Sequence, residues 1–214
     1  MTTAIKFCGL ARREDVSMAA ELGASYVGAI FAESRRRVTP EQAADMWTAA
    51  GDMKKVGVFG AAPVDEILDA AAVSGLDVIQ LHASLGEGTI DHLRADFRGA
   101  IWSVIRIGEA GVVDIAGESA AADAILVDSF AESGLGGTGR AFDWEREAAG
   151  IRRLIGGKPL IVAGGLDADN VAAAVRALAP TVVDVSSGVE FSPGVKDHDR
   201  MRAFARAVEQ ADAE

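Results

Sequence analysis

Eight short apolar runs rich in β-branched residues alternate along this chain with amphipathic, alanine-rich stretches, and the unit repeats roughly every 25 residues, as in a parallel sheet of βαβ units. The runs are AIKFC (4–8), YVGAIF (26–31), KVGVFG (55–60), DVIQLH (77–82), AIWSVIRI (100–107), DAILVD (123–128), KPLIVA (158–163) and TVVDV (181–185). A count of eight is what a closed (β/α)8 TIM barrel requires and what a doubly wound open sheet usually lacks. Between the runs, residues 12–22 place Val16, Ala19, Ala20 and Leu22 on one helical face ahead of Gly23. Pro40 and Pro63 stand where helices start, and Gly51 and Gly75 stand where they stop. Further helices are predicted over 89–96, just after 144, and over 169–179 and 199–211. The fifth position is the exception: Gly108, Gly111 and Gly117 interrupt it, so an irregular or degenerate fifth helix is expected. The long segment 129–144 has the size of a lid or ligand cover.

The 214 residues are 50% hydrophobic, enough for one sizeable core, and residues 1–214 are read as a single barrel domain. Cys8 is the single cysteine, so no intrachain disulfide forms. The opening MTTAIKFCGL is too short an apolar run for an export signal, and a cytoplasmic enzyme is expected. Charges or glycines break every apolar run short of the ~20 residues of a membrane helix. A net charge of −11 repels nucleic acid and obliges any phosphate site to be locally positive. The one basic cluster, Arg35 to Arg37, is short and lacks interleaved aromatics. Neither nucleic acid nor a membrane is therefore an expected partner.

In such a barrel the chemistry lies at the C-terminal strand ends. Two of them empty into small-residue turns, Gly164 and Gly165 after LIVA, and Ser186, Ser187 and Gly188 after VVDV. Together these suggest a phosphate cup of exposed backbone N–H groups, reinforced if a helix starts near Gly188. Cys8 alone reads as a buried small hydrophobe, but at a strand end before Gly9 it faces the mouth, where a nearby cation would lower its pKa and make thiolate available as a base. Asp128 alone reads as an ordinary N-cap; among apolar residues its pKa rises and it becomes a general acid near neutral pH. Arg36 is either part of a solvated charge run or a two-pronged site for a substrate carboxylate. His82 reads first as a structural histidine, and with no partner at ligand spacing, no metal is expected. Asp184 either pairs with Lys6, which shares the inward parity of Cys8 one layer deeper, or contacts the ligand.

The segments KFCG, FAESRRRV, VGVF, VIQLH, LVDS with GGTGRAFDW, PLIVAGGL, and VDVSSGVE with PGVKD together resemble the phosphoribosylanthranilate isomerase family, in the family's order and over nearly the whole chain. The resemblance implies a cofactor-free barrel of tryptophan biosynthesis. It would convert N-(5-phosphoribosyl)anthranilate to 1-(2-carboxyphenylamino)-1-deoxyribulose 5-phosphate by an Amadori rearrangement. It places the general base on Cys8, the general acid on Asp128 and the anthranilate carboxylate on Arg36. The phosphate falls on Gly164, Gly165, Ser187 and Gly188, and His82 and Asp184 line the pocket. Arg35 stands where the family usually has proline, and Ala83 where glycine is usual.

Two other enzyme classes compete. A Schiff-base lyase or synthase would need a lysine at the mouth, and Lys54, Lys55 and Lys158 lie at strand beginnings, leaving only Lys6. A metal-dependent sugar-phosphate epimerase would need histidine and acidic ligands that the strand ends lack. A non-catalytic ligand-binding barrel would keep the phosphate cup without needing Cys8 and Asp128.

Overall fold

The computed structural model describes residues 2–83, 86, 88–108, 111–115, 120–129 and 143–213. Its strands are β1 Ala4–Phe7, β2 Tyr26–Ile30, β3 Lys54–Phe59, β4 Val78–Leu81, β5 Ala100–Gly108, β6 Gly111–Ile115, β7 Ala124–Ser129, β8 Leu160–Ala163, β9 Val182–Val185, β10 Glu190–Ser192 and β11 Val195–Lys196. The helices are α1 Arg13–Glu21, α2 Pro40–Met46, α3 Val64–Ser74, α4 Thr89–Asp96, α5 Trp144–Ile155, α6 Val171–Leu178 and α7 His198–Ala213. Strands β4, β3, β2, β1, β9, β8, β7 and β5 pair in that order, all parallel, and β4 pairs again with β5, so the sheet closes on itself. The predicted eight-stranded (β/α)8 barrel is thus the fold.

Alternation along each strand sorts the core into two shells. Val56, Val78, Trp102, Val104, Leu126, Ile161 and Val182 point inward and fill the barrel, with Tyr26 edge-on to Trp102 at 5.1 Å. Residues of opposite parity, such as Phe7, Val27, Ile79, Ile105 and Ile125, pack outward beneath Val16, Ile67, Leu93, Ile151 and Phe204 of the helices. Helix starts follow local chemistry. Thr39 and Gln42 form a reciprocal capping box around Pro40, and the Asp143 carboxylate accepts from the Arg146 N–H.

The connection after β5 breaks the pattern as expected, and takes a specific form. The pairing of β4 with β5 ends at Ser103, while β5 runs on to Gly108. The antiparallel strand β6 occupies the edge so exposed, from Ile105 to Gly108. The expected lid, 129–144, lies outside the described residues except at its ends. After β9 the chain makes one turn of 3-10 helix at Ser187–Val189, and β10 and β11 form an antiparallel hairpin before α7.

Candidate active site

Each of the eight barrel strands sends at least one inward side chain, at or just beyond its C-terminal end, into one cavity of about 610 Å³. Cys8 comes from β1, Ile30 from β2, Val58 from β3, Gln80 and His82 from β4, and Arg106 from β5. Asp128 comes from β7, Ala163 from β8, and Asp184 with Ser186 from β9. Ala32, Gly60, Ala83, Gly164, Gly165, Leu166 and Ser187 complete the wall. Seven of the nine residues predicted from sequence, with Asp184 at the floor, therefore share one chamber. Arg36 and Gly188 stand just outside it.

The floor is an ion pair. Lys6 Nζ meets Asp184 Oδ2 at 2.7 Å, with the lysine wholly buried, so the inward parity inferred for Lys6 is the observed one. Asp184 Oδ1 is buried without a hydrogen-bond partner among the described residues and lines the cavity. Asp184 thus pairs with Lys6 and still presents an acceptor. Cys8 sits directly above. Gly28 makes the room: a Cβ there would come within 3.0 Å of Cys8 Sγ and 3.2 Å of Lys6 Cε. Burial pushes the Cys8 thiol up, and the Lys6 cation pulls against it without winning. The expected cation is present, but the expected lowering of the thiol is not, because desolvation of a fully buried sulfur outweighs one charge already shared with Asp184.

Asp128 belongs to β7 and is not a helix cap. Burial first, then the neighbouring Asp184 charge, raise its carboxyl to about 6, against the pull of Arg106 and Lys6. Burial, with Lys6 and Arg106 nearby, drives His82 down to about 4, so its ring is neutral at physiological pH. The ring Nε2 lies 2.7 Å from Gln80 Nε2, and Arg106 Nη2 donates to the His82 carbonyl at 3.0 Å. Among the described residues no three His, Cys, Asp or Glu side chains converge to hold a metal ion.

The two small-residue loops touch. Gly164 and Gly165 both have left-handed φ, 91° and 63°, and Ser129 Oγ donates to the Gly164 carbonyl at 2.8 Å. A Cβ on Gly188 would strike the Leu166 carbonyl, so glycine there allows the β9 loop to lie on the β8 loop. Arg36 is engaged by Glu190: Nε donates to Oε1 at 2.8 Å and to Oε2 at 3.0 Å, and Nη2 donates to Oε2 at 2.6 Å. Its stem lies beside the cavity, since a Cβ on Gly9 would sit 2.8 Å from both Arg36 Cδ and Ser186 Oγ.

The family model for N-(5'-phosphoribosyl)anthranilate (PRA) isomerase matches residues 5–207. The chain belongs to this family. The N-(5'-phosphoribosyl)anthranilate isomerase of Stenotrophomonas maltophilia is 40% identical over 217 residues, covering 98% of this chain and 94% of its own. That of Caldanaerobacter subterraneus is 38% identical over 205 residues, covering 95% and 97%. Among solved structures, the phosphoribosyl anthranilate isomerase of Thermotoga maritima superposes with a TM-score of 0.82 at 28% identity, covering 98% of this chain and 100% of its own. A phosphoribosyl anthranilate isomerase in complex with reduced 1-(o-carboxyphenylamino)-1-deoxyribulose 5-phosphate superposes with a TM-score of 0.78 at 27% identity, with the same coverage.

Sequence reasoning missed three polar residues at or beside the cavity. Gln80 and Arg106 have the inward parity of Val78 and Trp102, so strand alternation would have found them. Lys196 corrects the lysine inventory. It is buried beside the cavity, with Nζ 3.0 Å from both the Ser186 carbonyl and Glu190 Oε1, so Lys6 is not the one lysine near the site. Its position depends on the hairpin after β9, which the residue pattern did not disclose.

Proposed function

We propose that the chain isomerises N-(5-phosphoribosyl)anthranilate to 1-(2-carboxyphenylamino)-1-deoxyribulose 5-phosphate in tryptophan biosynthesis, by an Amadori rearrangement with Asp128 as general acid and Cys8 as general base. The observation that carries this reading is a carboxyl held at about 6 in the same cavity as a thiol seated over a lysine. Asp128 gives a proton to the ribose ring oxygen as the C1′–O bond breaks, leaving a Schiff base between C1′ and the anthranilate nitrogen. The Cys8 thiolate removes the proton from C2′, and the C2′–H electron pair moves to form an enolamine. Loss of the C2′ hydroxyl proton and protonation at C1′ then yield the ketone. Lys6 supports the thiolate form of Cys8.

The substrate spans the mouth. Its phosphate rests on the loops of Gly164, Gly165, Ser187 and Gly188, and its carboxylate reaches Arg36. His82 and Asp184 face the sugar, where Asp184 Oδ1 accepts from a hydroxyl. A neutral His82 suits this position because it adds no charge beside the acid and the base. The same reading treats residues 1–214 as one cytoplasmic barrel domain acting without a cofactor.

Steady-state kinetics of Cys8→Ser and Asp128→Asn test the assignment. Each substitution is expected to lower kcat by about 10²- to 10⁴-fold while substrate still binds, and neither gene should rescue a tryptophan auxotroph lacking the isomerase. Near-full turnover by either variant would remove that residue from its role.

A further inference from the structure

Glu190 takes no part in the proton transfers, yet it is 7% exposed and more heavily bonded than any catalytic group described above. Its carboxylate receives Arg36 through Nε and Nη2 at 2.6–3.0 Å, Lys196 Nζ at 3.0 Å and the Gly194 N–H at 3.2 Å. Its own carbonyl accepts from Arg200 Nη1 of α7 at 2.8 Å. Desolvation alone would raise this carboxyl, but Arg36 and Lys196 hold it below the usual glutamate range, so it stays ionised. Two cations share one anion, and the trio keeps one net positive charge beside the cavity. Among the described residues no hydrogen bond takes Arg36 Nη1.

Connectivity makes this cluster more than a surface ion pair. Glu190 opens β10, immediately after the Ser187–Val189 turn that forms half of the proposed phosphate cup. Lys196 returns from β11 to bond both Glu190 and the Ser186 carbonyl. The hairpin therefore ties the β9 loop to the arginine, which the chain delivers from the far side of β1 after β2. A free arginine side chain has many rotamers, and a bidentate carboxylate leaves it one.

We propose that Glu190 is a positioning residue that fixes Arg36 relative to the Ser186–Gly188 loop, and so sets the span between the carboxylate and phosphate ends of the ligand. This rests on the reading of Arg36 given above. Held in register by Glu190, the guanidinium meets an incoming carboxylate with no rotamer search, which strengthens binding without changing the chemical step.

A double-mutant cycle with Glu190→Gln and Arg36→Met, read as KM and kcat separately, is the test. Arg36→Met is expected to raise KM roughly ten- to a hundredfold, the worth of a charge-assisted pair. Glu190→Gln should raise KM roughly three- to tenfold with kcat within about twofold, and should have no further effect in the Arg36→Met background. If Glu190→Gln is insoluble because Lys196 is left buried without its partner, Glu190→Gln combined with Lys196→Met replaces it in the same cycle. A KM increase of equal size with and without Arg36 would mean that Glu190 acts on the fold and not through the arginine, and an unchanged KM in the single variant would equally overturn the proposal. If Arg36→Met alone leaves KM unchanged, the carboxylate site lies elsewhere, and both the proposal and its premise fail.

Discussion

Burial raises the pKa of both Cys8 and Asp128, and their order of titration follows from that. The carboxyl releases its proton at about 6, whereas the thiol, already weaker as an acid and further desolvated, holds its own to higher pH. The working form of the proposed mechanism is the reverse, a protonated Asp128 beside a Cys8 thiolate. At neutral pH the pair therefore keeps one proton, mostly on sulfur, and the reactive arrangement is a minor form with the same proton count. Its fraction stays constant between the two midpoints, because moving the proton from sulfur to carboxyl costs no change in proton uptake. Below about 6 both groups are protonated and the base is lost; above the thiol's midpoint neither is, and the acid is lost. The expected profile of kcat/KM has an acid limb with its midpoint at about 6, a plateau through neutrality and a basic limb at the thiol's raised pKa. Stopped-flow or steady-state rates across that range check it, and a profile flat through 6 would detach Asp128 from catalysis.

Among the elements, the loops after β8 and β9 share one constraint: their backbones lie against each other at Gly188 and Leu166, and a Cβ between them has nowhere to go. Both sides are backbone, so neither can swing aside as a flexible side chain would. Gly188→Ala should push the loops apart and raise KM by roughly ten- to a hundredfold, for about 1–3 kcal/mol of overpacking relieved by displacement. Because the collision lies at the proposed phosphate end, inhibition by inorganic phosphate should weaken by a similar factor; an unchanged inhibition constant would place the phosphate elsewhere. These loops were legible in the sequence because a strand emptying into glycines leaves a local signature. So were the eight strands, whose β-branched runs carry their own periodicity, and the cysteine and aspartate at their ends. What the residues could not disclose was set by distant partners. The glycines after 107 predict the loss of a helix, but that β6 replaces it depends on β5 outrunning β4 by several residues. Arg36 reads as a carboxylate site, and nothing near it in sequence announces Glu190, 154 positions away.

At the scale of the whole molecule, closure of the barrel and integrity of the site depend on one seam. The first and last barrel strands, β1 and β9, pair from Ala4 against Val182 to Phe7 against Val185, and the Lys6–Asp184 ion pair bridges two residues in direct register. The Cys8 N–H continues the ladder to the Val185 carbonyl at 2.9 Å, so the proposed base sits where the seam ends. Helix α7 covers the outside of this joint. Phe204, fully buried, lies edge-on to Phe7 of β1 at 6.2 Å, and Asp212 takes both the Thr3 N–H at 2.6 Å and its hydroxyl at 2.7 Å. Removing the Phe204 ring leaves a cavity directly behind β1, which the rigid sheet cannot collapse to fill. Phe204→Ala is expected to cost about 3–5 kcal/mol, which for a chain of this size lowers Tm by roughly 6–20 °C. Asp212→Ala, which removes an accessible clamp near the chain end, should cost about 1 kcal/mol. Since the seam holds the site and the fold together, heat inactivation of Phe204→Ala should follow its unfolding curve by circular dichroism, with kcat well below Tm close to that of the parent. Activity lost many degrees before the fold would show instead that the seam can open locally, and that α7 guards the site independently of the barrel.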